Sequence, residues 1–556
     1  MLNKSKMRFK VNLSGQYFNI FIFFSVLVAG CLYLFLTFNS SYLTLPTAEE
    51  KLYSLVTIKN FLEHGPAHTG WLSNYSTRDD SLPNVYTHLI DFPSIFSFIL
   101  IKIGFTMEMI RLIFISITFI SFIFLFIFFN KKFGVVWGLA SIGYLFSSYT
   151  LLFADHLHVP LSFLTVVLSL ILSLNRHIDI SRYYFLSSIL LVFSAMFSWF
   201  VTVNILIFNL LLVLFDHFKN SQKILKYSCF YISLFILLII LKIGINSVYL
   251  GLNIALNEII LTIQNRIIGK PSVDELLTFF NNNGIVLWGY QDKDPFNFFE
   301  YLLNIFLKYS SGIFNIIFLI YIIFLTDKNK FLTIIKKYKN EIITLIIFLF
   351  SLNAWNIFFP AHAQGYLNPI IVPFYFMLLF GLLIITVKSN ISLLSNYFSS
   401  LKIYYSYIIV LPIIFFIIFK NISIFNERSS IFYDKLPDKM FELLNESSIY
   451  TNFSGIFLGY YLPKSFIFAR CTPQAILNKD PTQCFNTFEN ISRDIDSKNA
   501  SNNPKFFVFS KQLISGGMAW TSHDDLIVYE KILDSAFGNP LIFNVDGIKF
   551  SIYKIF

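Results

Sequence analysis

Charged residues are scarce in this sequence. Asp, Glu, Lys and Arg make up 13% of its 556 residues, whereas 56% are hydrophobic and the mean hydropathy is +0.65. Soluble domains carry about 25% charged residues, so this composition excludes an ordinary water-soluble chain. Apolar runs of about 20 residues recur along the sequence, and that length is enough to cross a bilayer. The composition therefore predicts a polytopic α-helical membrane protein.

The scarcity of cysteine and the lack of several motifs make some classes of function less probable for this sequence. The chain has only four cysteines, of which Cys31 and Cys229 fall in apolar runs, and they do not have metal-ligand spacing. The sequence has no Gly-rich phosphate loop and no Ser/His/Asp pattern. The net charge of +10 reflects lysines in short connections between apolar runs, which is a topology signal. These features disfavour a nucleotide-binding loop, a structural metal site, a nucleophilic triad and a nucleic-acid partner.

The distribution of Lys and Arg predicts the topology. Basic residues precede the first apolar run, near 17–38, and recur at alternate connections, as the positive-inside rule requires. This pattern predicts about eleven spans within residues 1–420, with the N-terminus in the cytoplasm. After the first, the approximate ranges are 112–129, 134–153, 160–174, two spans within 183–215, 227–245, 312–325, 342–359, 369–387 and 403–419. Two long polar loops, residues 39–111 and 246–311, then lie outside the membrane. We expect an integral protein of the plasma membrane, which in a bacterium is the inner membrane.

The composition changes near residue 421, beyond the last predicted span. Residues 421–556 are predicted to form a small extracytoplasmic α/β domain, because strand and helix patterns alternate there. The predicted strands are 448–451, 505–509 and 546–556, and the predicted helices are 432–445 and 524–533. Cys471 and Cys484 lie in this region, where an oxidising compartment would permit a disulfide.

The first outer loop opens with a predicted helix between Pro46 and Gly65. Thr47 and Glu50 have the spacing of a capping box, and Gly65-Pro66 ends the helix. Such a short helix beside a span is expected to lie on the membrane surface, with Glu49 and Glu50 just outside the bilayer. Its apolar residues share one face, namely Leu52, Leu55, Val56 and Leu62. A second apolar helix, over 91–104, is too short to cross a bilayer.

Several carboxylates of the outer segments are candidate chemical groups. The capping box accounts for Glu50, whereas Glu49 is explained only in part by the preference for acids at a helix N-terminus. Asp155 lies at the outer end of the third predicted span. Asp79-Asp80 resembles a metal-binding pair, but no third ligand accompanies it in the sequence, so a solvated loop is the simpler interpretation.

Cations and histidines also concentrate on the predicted outer face. Arg111 stands at the outer end of a span, against the topology rule, so it needs a partner: either Asp91 or Glu108, or a bound phosphate. Weaker examples of the same pattern are Lys102, Arg78 and Arg266. The outer-face histidines are His88, His156, His158 and His362, the last in a turn with Tyr366. Each alone is an ordinary interfacial side chain, but together they suggest a binding site.

The order of these residues resembles the GT-C membrane glycosyltransferases, in the branch of protein O-mannosyltransferases and the aminoarabinose transferase of lipid A. The similar motifs are Glu49-Glu50-Lys51-Leu52-Tyr53, Gly65, the segment 88–93, Gly104, Arg111, Asp155 to Pro160-Leu161, and Tyr366 to Pro373. The sequence also departs from the family pattern. Glu49 replaces the usual Asp, Phe92-Pro93-Ser94 replaces Pro-Pro-Leu, and His158 lies nearer the usual acid spacing than Asp155.

The resemblance implies a sugar donor linked to polyprenyl phosphate and a glycan, lipid or protein acceptor in the cell envelope. An inverting transfer needs a carboxylate base, for which Glu49 is the first candidate and Glu50 and Asp155 the others. It also needs cations on the leaving phosphate. The candidate phosphate ligands are Arg111, Lys102, Arg266 and His362, and the candidate substrate-binding residues are His88, His158 and Tyr366. We expect no cofactor and no divalent metal.

Two other functions stay open at this point. A transporter or flippase of a lipid-linked or ionic substrate would place charges in mid-span and contain paired broken helices. The predicted spans are nearly free of charge, which favours the transferase. A non-catalytic scaffold for the C-terminal domain would not require acids and histidines to converge in the outer loops.

Overall fold

The structure is a computed structural model, and it describes about half of the chain. The described residues are 48–76, 83, 85–87, 91–133, 157–218, 220–268, 273–285, 333, 336, 338–353, 436–445, 447–451, 458, 461–462, 466–468, 506–510, 523–545 and 548–555. The predicted spans near 17–38, 134–153, 312–325, 369–387 and 403–419 lie outside them, as do Cys471 and Cys484. The total number of spans therefore stays a prediction.

Apolar helices form most of the described part. The described helices in the first two-thirds of the chain are α1 (Ala48–His64), α2 (Phe92–Lys102), α3 (Met107–Phe133), α4 (His158–Leu174), α5 (Ile180–Ala195), α6 (Trp199–Asp216), α7 (Ser221–Leu250), α8 (Leu252–Ile268), α9 (Val273–Asn282) and α10 (Lys339–Leu352). Within the described residues, α3, α6 and α7 contain stretches long and apolar enough to cross a membrane. Helices α4 and α5 are apolar but shorter. The helices predicted over 112–129, 160–174, 183–215 and 227–245 are confirmed.

Helices α3 to α7 and α10 pack into one bundle. Helix α4 lies between α3 and α5, and α6 contacts α5, α7 and α10. Aromatic rings fill the interior: Phe122 packs on Phe163 with ring centroids 4.7 Å apart, and Phe208 packs edge-on against Phe348 at 5.1 Å. Side-chain caps begin three of these helices, from Asp179, Ser198 and Asn220. Local capping thus fixes where α5, α6 and α7 start.

The helix ends form two groups, one at each end of the bundle, as the charge pattern predicts. At one end of the bundle, here called the inner end, the Arg176 guanidinium bonds both carboxylate oxygens of Asp216, at 2.6 and 2.8 Å, and Thr344 Oγ1 at 2.8 Å. Lys132 lies 3.6 Å from Glu341 there. These residues end or begin α3, α4, α6 and α10, and the sequence placed all of these ends in the cytoplasm. Which membrane face the inner end occupies stays a prediction.

The opposite end, here called the outer end, carries the two long loops. Strands β1 (Ser73–Asn74) and β2 (Val85–Tyr86) form an antiparallel hairpin after α1. The backbone N–H of Val85 donates to the carbonyl of Gly284, 2.9 Å away, so the second loop packs on the first. Gly70 turns the chain before β1 with φ of 60°, and a Cβ there would lie 3.3 Å from Tyr249 of α7. Glycine therefore permits both the turn and the close approach.

The second outer loop is more helical than the sequence predicted. Helix α7 continues to Leu250, and α8 and α9 occupy most of the described residues that follow. An apolar core joins α9 to the hairpin through Leu72, Val85, Leu276, Phe280 and Ile285. Interpreting residues 246–311 as a polar loop was wrong for this part, because its apolar side chains are buried against the first loop.

The C-terminal part contains the predicted α/β structure. It comprises α11 (Asp438–Leu444), β3 (Ser448–Thr451), β4 (Phe466–Phe468), β5 (Phe506–Phe509), α12 (His523–Phe537), β6 (Leu541–Val545) and β7 (Ile548–Lys554). The five strands form one mixed sheet in the order β4-β3-β5-β7-β6. Strand β3 runs parallel to β4 and β5, whereas β7 is antiparallel to β5 and β6. The predicted strand positions are confirmed. The division into domains at residue 420 stays a prediction.

Helix α1 differs from the sequence prediction. A surface helix would bury one face, yet α1 buries apolar residues on two sides and polar residues on a third. Leu52 and Val56 join the core of the C-terminal sheet, while Ile58 packs with α2 and α3. Thr57 and Asn60 hydrogen-bond the carbonyl of Asn74 in β1, at 3.3 and 2.9 Å. The expectation of a single buried face was wrong, because the polar residues of the helix bind the hairpin backbone instead of water. The position of α1 at the membrane surface stays a prediction.

Candidate functional site

Asp91 is the centre of a buried polar cluster at the outer end. It precedes α2, where Pro93 favours a helix start, and its Oδ1 accepts the backbone N–H of Ser94 at 3.1 Å. Its Oδ2 accepts the hydroxyl of Ser73 at 2.7 Å. Only 1% of Asp91 is exposed. A carboxylate in this position is stabilised by the helix dipole and by two hydrogen bonds.

His158 lies beside Asp91. Its Nε2 lies 3.4 Å from Asp91 Oδ1, and its residue is 9% exposed. It is the first residue of α4, so the contact joins the start of α4 to the start of α2. The backbone N–H of Phe92 also donates to the carbonyl of Met196, at 3.3 Å, which holds the same helix start against the turn between α5 and α6. The predicted substrate-binding residue His158 is therefore held in a fixed, largely dry position.

Arg111 lies near the start of α3 and is 3% exposed. Its charge interacts with Glu108, one turn earlier, which is one of the partners expected from the sequence. Its neighbours Ile110 and Phe114 belong to the apolar core that contains Leu157 and Leu161 of the segment around His158. Burying a guanidinium costs free energy unless an anion pairs with it, so the burial of Arg111 indicates a position that accommodates an anion. Glu108 supplies one such anion.

Sequence reasoning missed two fully buried charged residues at the outer end. Lys51 directly follows Glu49 and Glu50 in α1, and Glu258 lies in α8. Glu258 Oε1 accepts the hydroxyl of Thr262 at 3.4 Å. The sequence did contain a signal for Glu258, because Ala255, Glu258 and Thr262 recur at helical spacing and so share one face of a helix. In the structure all three are buried. No comparable pattern marks Lys51, whose burial depends on the packing around α1.

Other predicted site residues lie apart from the Asp91 cluster or outside the described residues. Lys102 is exposed at the last turn of α2, with Nζ 5.9 Å from the Phe98 ring centroid, roughly 15 Å of helix away from Asp91. The structure therefore does not bring this predicted phosphate ligand to the Asp91 cluster. Glu49 and Glu50 are in the first turn of α1, and Arg266 is in α8, but only their backbones are described. His88, Asp155, His362 and Tyr366 lie outside the described residues.

The predicted capping box at the start of α1 stays a prediction. The structure describes the helix from Ala48, and of Glu50 it describes only the backbone. Thr47, the predicted cap, lies outside the described residues. Among the described residues, no three His, Cys, Asp or Glu side chains come close enough to hold a metal ion. Asp79 and Asp80 are not described, so the expectation of a metal-independent site stays untested.

Comparison with solved structures finds chains that resemble this one. No family model matches the chain, and no curated protein does. The chain is similar to a crystal structure of ArnT from Cupriavidus metallidurans in the apo state, with a TM-score of 0.46 and 10% sequence identity. The likeness covers 96% of this chain and 97% of that one. A likeness of this size assigns no activity, so the function proposed below depends on the buried residues of this chain.

Proposed function

We propose that the protein is a membrane glycosyltransferase of the GT-C type, which transfers a sugar from a polyprenyl-phosphate donor to an envelope glycan, lipid or protein. The observation that supports it is the concentration of buried Asp91, His158 and Arg111 at the outer end of an apolar bundle. Buried ionisable residues beside spans mark functional sites more often than structural ones. Here they combine a carboxylate, an imidazole and a guanidinium, which suit hydroxyl and phosphate groups.

The position of the charges favours an enzyme over a transporter. In α3, α4 and α6, charged residues and histidines lie within two turns of a helix end, and in α7 Lys242 lies just beyond that distance. A transporter places its coupling charges near the middle of the bilayer. A substrate at the outer end instead meets the bundle where lipid and water adjoin. A lipid-linked donor fits that boundary, since its chain can lie between helices while its phosphate stays at the surface.

In the proposed reaction, the carboxylate of Glu49 takes the proton from the acceptor hydroxyl as that oxygen attacks the anomeric carbon. The bond from the anomeric carbon to the phosphate oxygen breaks, and polyprenyl phosphate leaves. Arg111 stabilises the negative charge of that phosphate, with Arg266 and His362 as further candidates. Glu50 and Asp155 are the alternative bases. His158, held by Asp91, binds substrate, as His88 and Tyr366 are proposed to do.

The test uses the purified full chain in detergent or proteoliposomes with a radiolabelled polyprenyl-phosphate sugar. We expect release of polyprenyl phosphate and label in the acceptor fraction, without added metal or nucleotide. Arg111→Gln should lose about a hundredfold or more in rate, because a buried donor for the leaving phosphate is removed. Lys102→Gln is the matched control: it also removes an outer-segment cation, but an exposed one. Transfer from nucleotide sugars alone, or movement of an unaltered lipid across the vesicle, would refute the proposal.

A further inference from the structure

The C-terminal sheet and α1 share one hydrophobic core. Leu52, Tyr53 and Val56 of α1 are buried in it. Two further buried members, Tyr75 and Tyr86, belong to the hairpin segment. The others come from the C-terminal part: Leu436, Met440, Leu444, Ile449, Leu458, Leu462, Val508, Phe550 and Ile552. Residues of α1 and of the C-terminal part, about 380 to 500 positions apart in sequence, therefore exclude water together. The helix that carries Glu49 and Glu50 completes the core of a sheet from the far end of the chain.

Only one face of the sheet takes part in this core. Val508 of β5 and Ile552 of β7 are cross-strand partners on that face. Their neighbours Phe507 and Tyr553 point to the opposite face, since side chains alternate along a strand. The Tyr553 hydroxyl donates to Asp534 of α12 at 2.8 Å. Helix α12 therefore covers one face, while α11 and α1 cover the other.

The same core reaches the hairpin, and through the hairpin it connects to the Asp91 cluster. The Tyr53 ring contacts Tyr75, with centroids 4.7 Å apart, and Tyr75 stacks on Tyr86 of β2 at 5.6 Å. Asn60 donates to the carbonyls of Asn74 and Ser76, each at 2.9 Å. The same hairpin supplies Ser73, which donates to Asp91. A continuous set of contacts thus runs from the sheet through α1 to the buried carboxylate.

We propose that the C-terminal sheet positions α1, and with it the acidic first turn and the hairpin of the outer site, with Met440 and Val508 as positioning residues. In proteins, most of the stability of a helix comes from tertiary packing and not from intrinsic propensity, so the surfaces packed against α1 fix its position. The sheet supplies that packing on the side away from the bundle. The part of this inference that concerns activity depends on the transferase proposed above, whereas the part that concerns the order of α1 does not.

Amide hydrogen exchange on the full chain in detergent tests the positioning directly. Met440→Ala should raise exchange in the peptide covering residues 52–62 by about tenfold or more, because α1 loses packing and opens locally. Leu533→Ala is the matched control, since Leu533 is equally buried but lies on α12, across the sheet. It should leave that peptide unchanged. Unchanged exchange in Met440→Ala, or equal loosening in both variants, would overturn the proposal.

If Met440→Ala does not fold, Val508→Ala is the second variant to measure, because it removes fewer atoms from the same core. It should loosen residues 52–62 in the same direction, and unchanged protection there would contradict the proposal. The reciprocal variant Leu52→Ala should raise exchange in α11 and β5. If these regions respond independently of α1, the shared core does not couple them.

Transfer kinetics separate the two proposals. Met440→Ala should lower kcat by about ten- to a hundredfold while KM for the acceptor changes little, because a misplaced catalytic helix affects the reaction more than binding. Leu533→Ala should retain both constants. If the wild-type chain transfers no sugar but exchange in residues 52–62 still depends on Met440, the transferase fails and the positioning stands. If the wild type transfers sugar and Met440→Ala retains full kcat, the catalytic role of the positioning is refuted.

Discussion

The two ends of the helical bundle both bury charged side chains, in different ways. At the inner end, Arg176 is paired with Asp216 by two hydrogen bonds and also bonds Thr344 and the carbonyl of Ser173. At the outer end, the partners of Asp91 are an imidazole, a hydroxyl and a backbone N–H. The inner pair joins a guanidinium to a carboxylate, whereas at the outer end the ring beside the carboxylate is an imidazole, whose nitrogens can donate or accept hydrogen bonds.

This difference separates a structural ion pair from a candidate site. Four N–H bonds of the Arg176 guanidinium are engaged within the bundle, so little of its capacity is left for a ligand. The outer cluster contains groups that can accept protons or bind a phosphate. We therefore expect variants at the inner end to lose stability and variants at the outer end to lose activity.

The comparison between the inner and outer ends of the bundle requires that the two ends lie on opposite sides of the membrane. In a cysteine-free background, His68→Cys places one exposed thiol at the outer end and Ile178→Cys places one at the inner end, where Ile178 is 84% exposed. An impermeant maleimide should label position 68 in intact cells and position 178 only after the membrane is opened. Equal labelling of both, or the reverse pattern, would overturn the topology and the site with it.

The next prediction distinguishes the roles of two neighbouring acids at the outer end, Glu49 and Glu50. Glu49→Gln keeps the shape and the helix but removes the proposed base, so the transfer rate should fall by about two to four orders of magnitude. Glu50→Gln keeps a side chain able to cap the helix and should retain much more activity. Melting temperature and transfer rate would be measured for both. Loss of activity in Glu50→Gln alone would reverse the roles, and no loss in either would make Asp155 the next candidate.

At the inner end, the expected loss is in stability. Arg176→Ala leaves Asp216 buried without its cation, which should cost about 3–5 kcal/mol and lower the melting temperature and the yield of folded protein. Arg176→Lys keeps the charge but not the planar pair of bonds, so it should be intermediate. Thermal melting of the detergent-solubilised chain measures both. A variant that melts normally but transfers no sugar would mean that the inner end also belongs to the site.

The smallest effect concerns His177, beside Arg176. Partial burial lowers the pKa of this imidazole from its usual 6.5, and the Arg176 charge lowers it further. The folded state thus favours neutral His177, so its contribution is fully present above pH 6.5 and declines as the pH falls below that value. His177→Gln should slightly flatten the decrease in melting temperature between pH 7 and 5. The change should be far smaller than for Arg176→Ala, because His177 is largely exposed.

The sequence by itself determined the local structure of much of the described chain. Runs of apolar residues predicted α3 to α7, and short alternating runs predicted β3, β5 and β7. Charge at the connections predicted which helix ends lie together at the inner end. These features depend on neighbours within a few residues, through hydrogen-bond geometry, capping and hydrophobic periodicity. They were therefore accessible without knowledge of the tertiary fold.

Only the tertiary structure decided which distant residues meet. His158 contacts Asp91, and Arg176 bonds Asp216 and Thr344, because helix packing brings their ends together. Likewise, amphipathic patterning predicted a helix between Pro46 and Gly65 but only one buried face for it. The surfaces that enclose α1 come from the hairpin, from α2 and α3, and from a sheet near the C-terminus. Periodicity shows that a face must be buried, whereas only the three-dimensional packing shows what buries it.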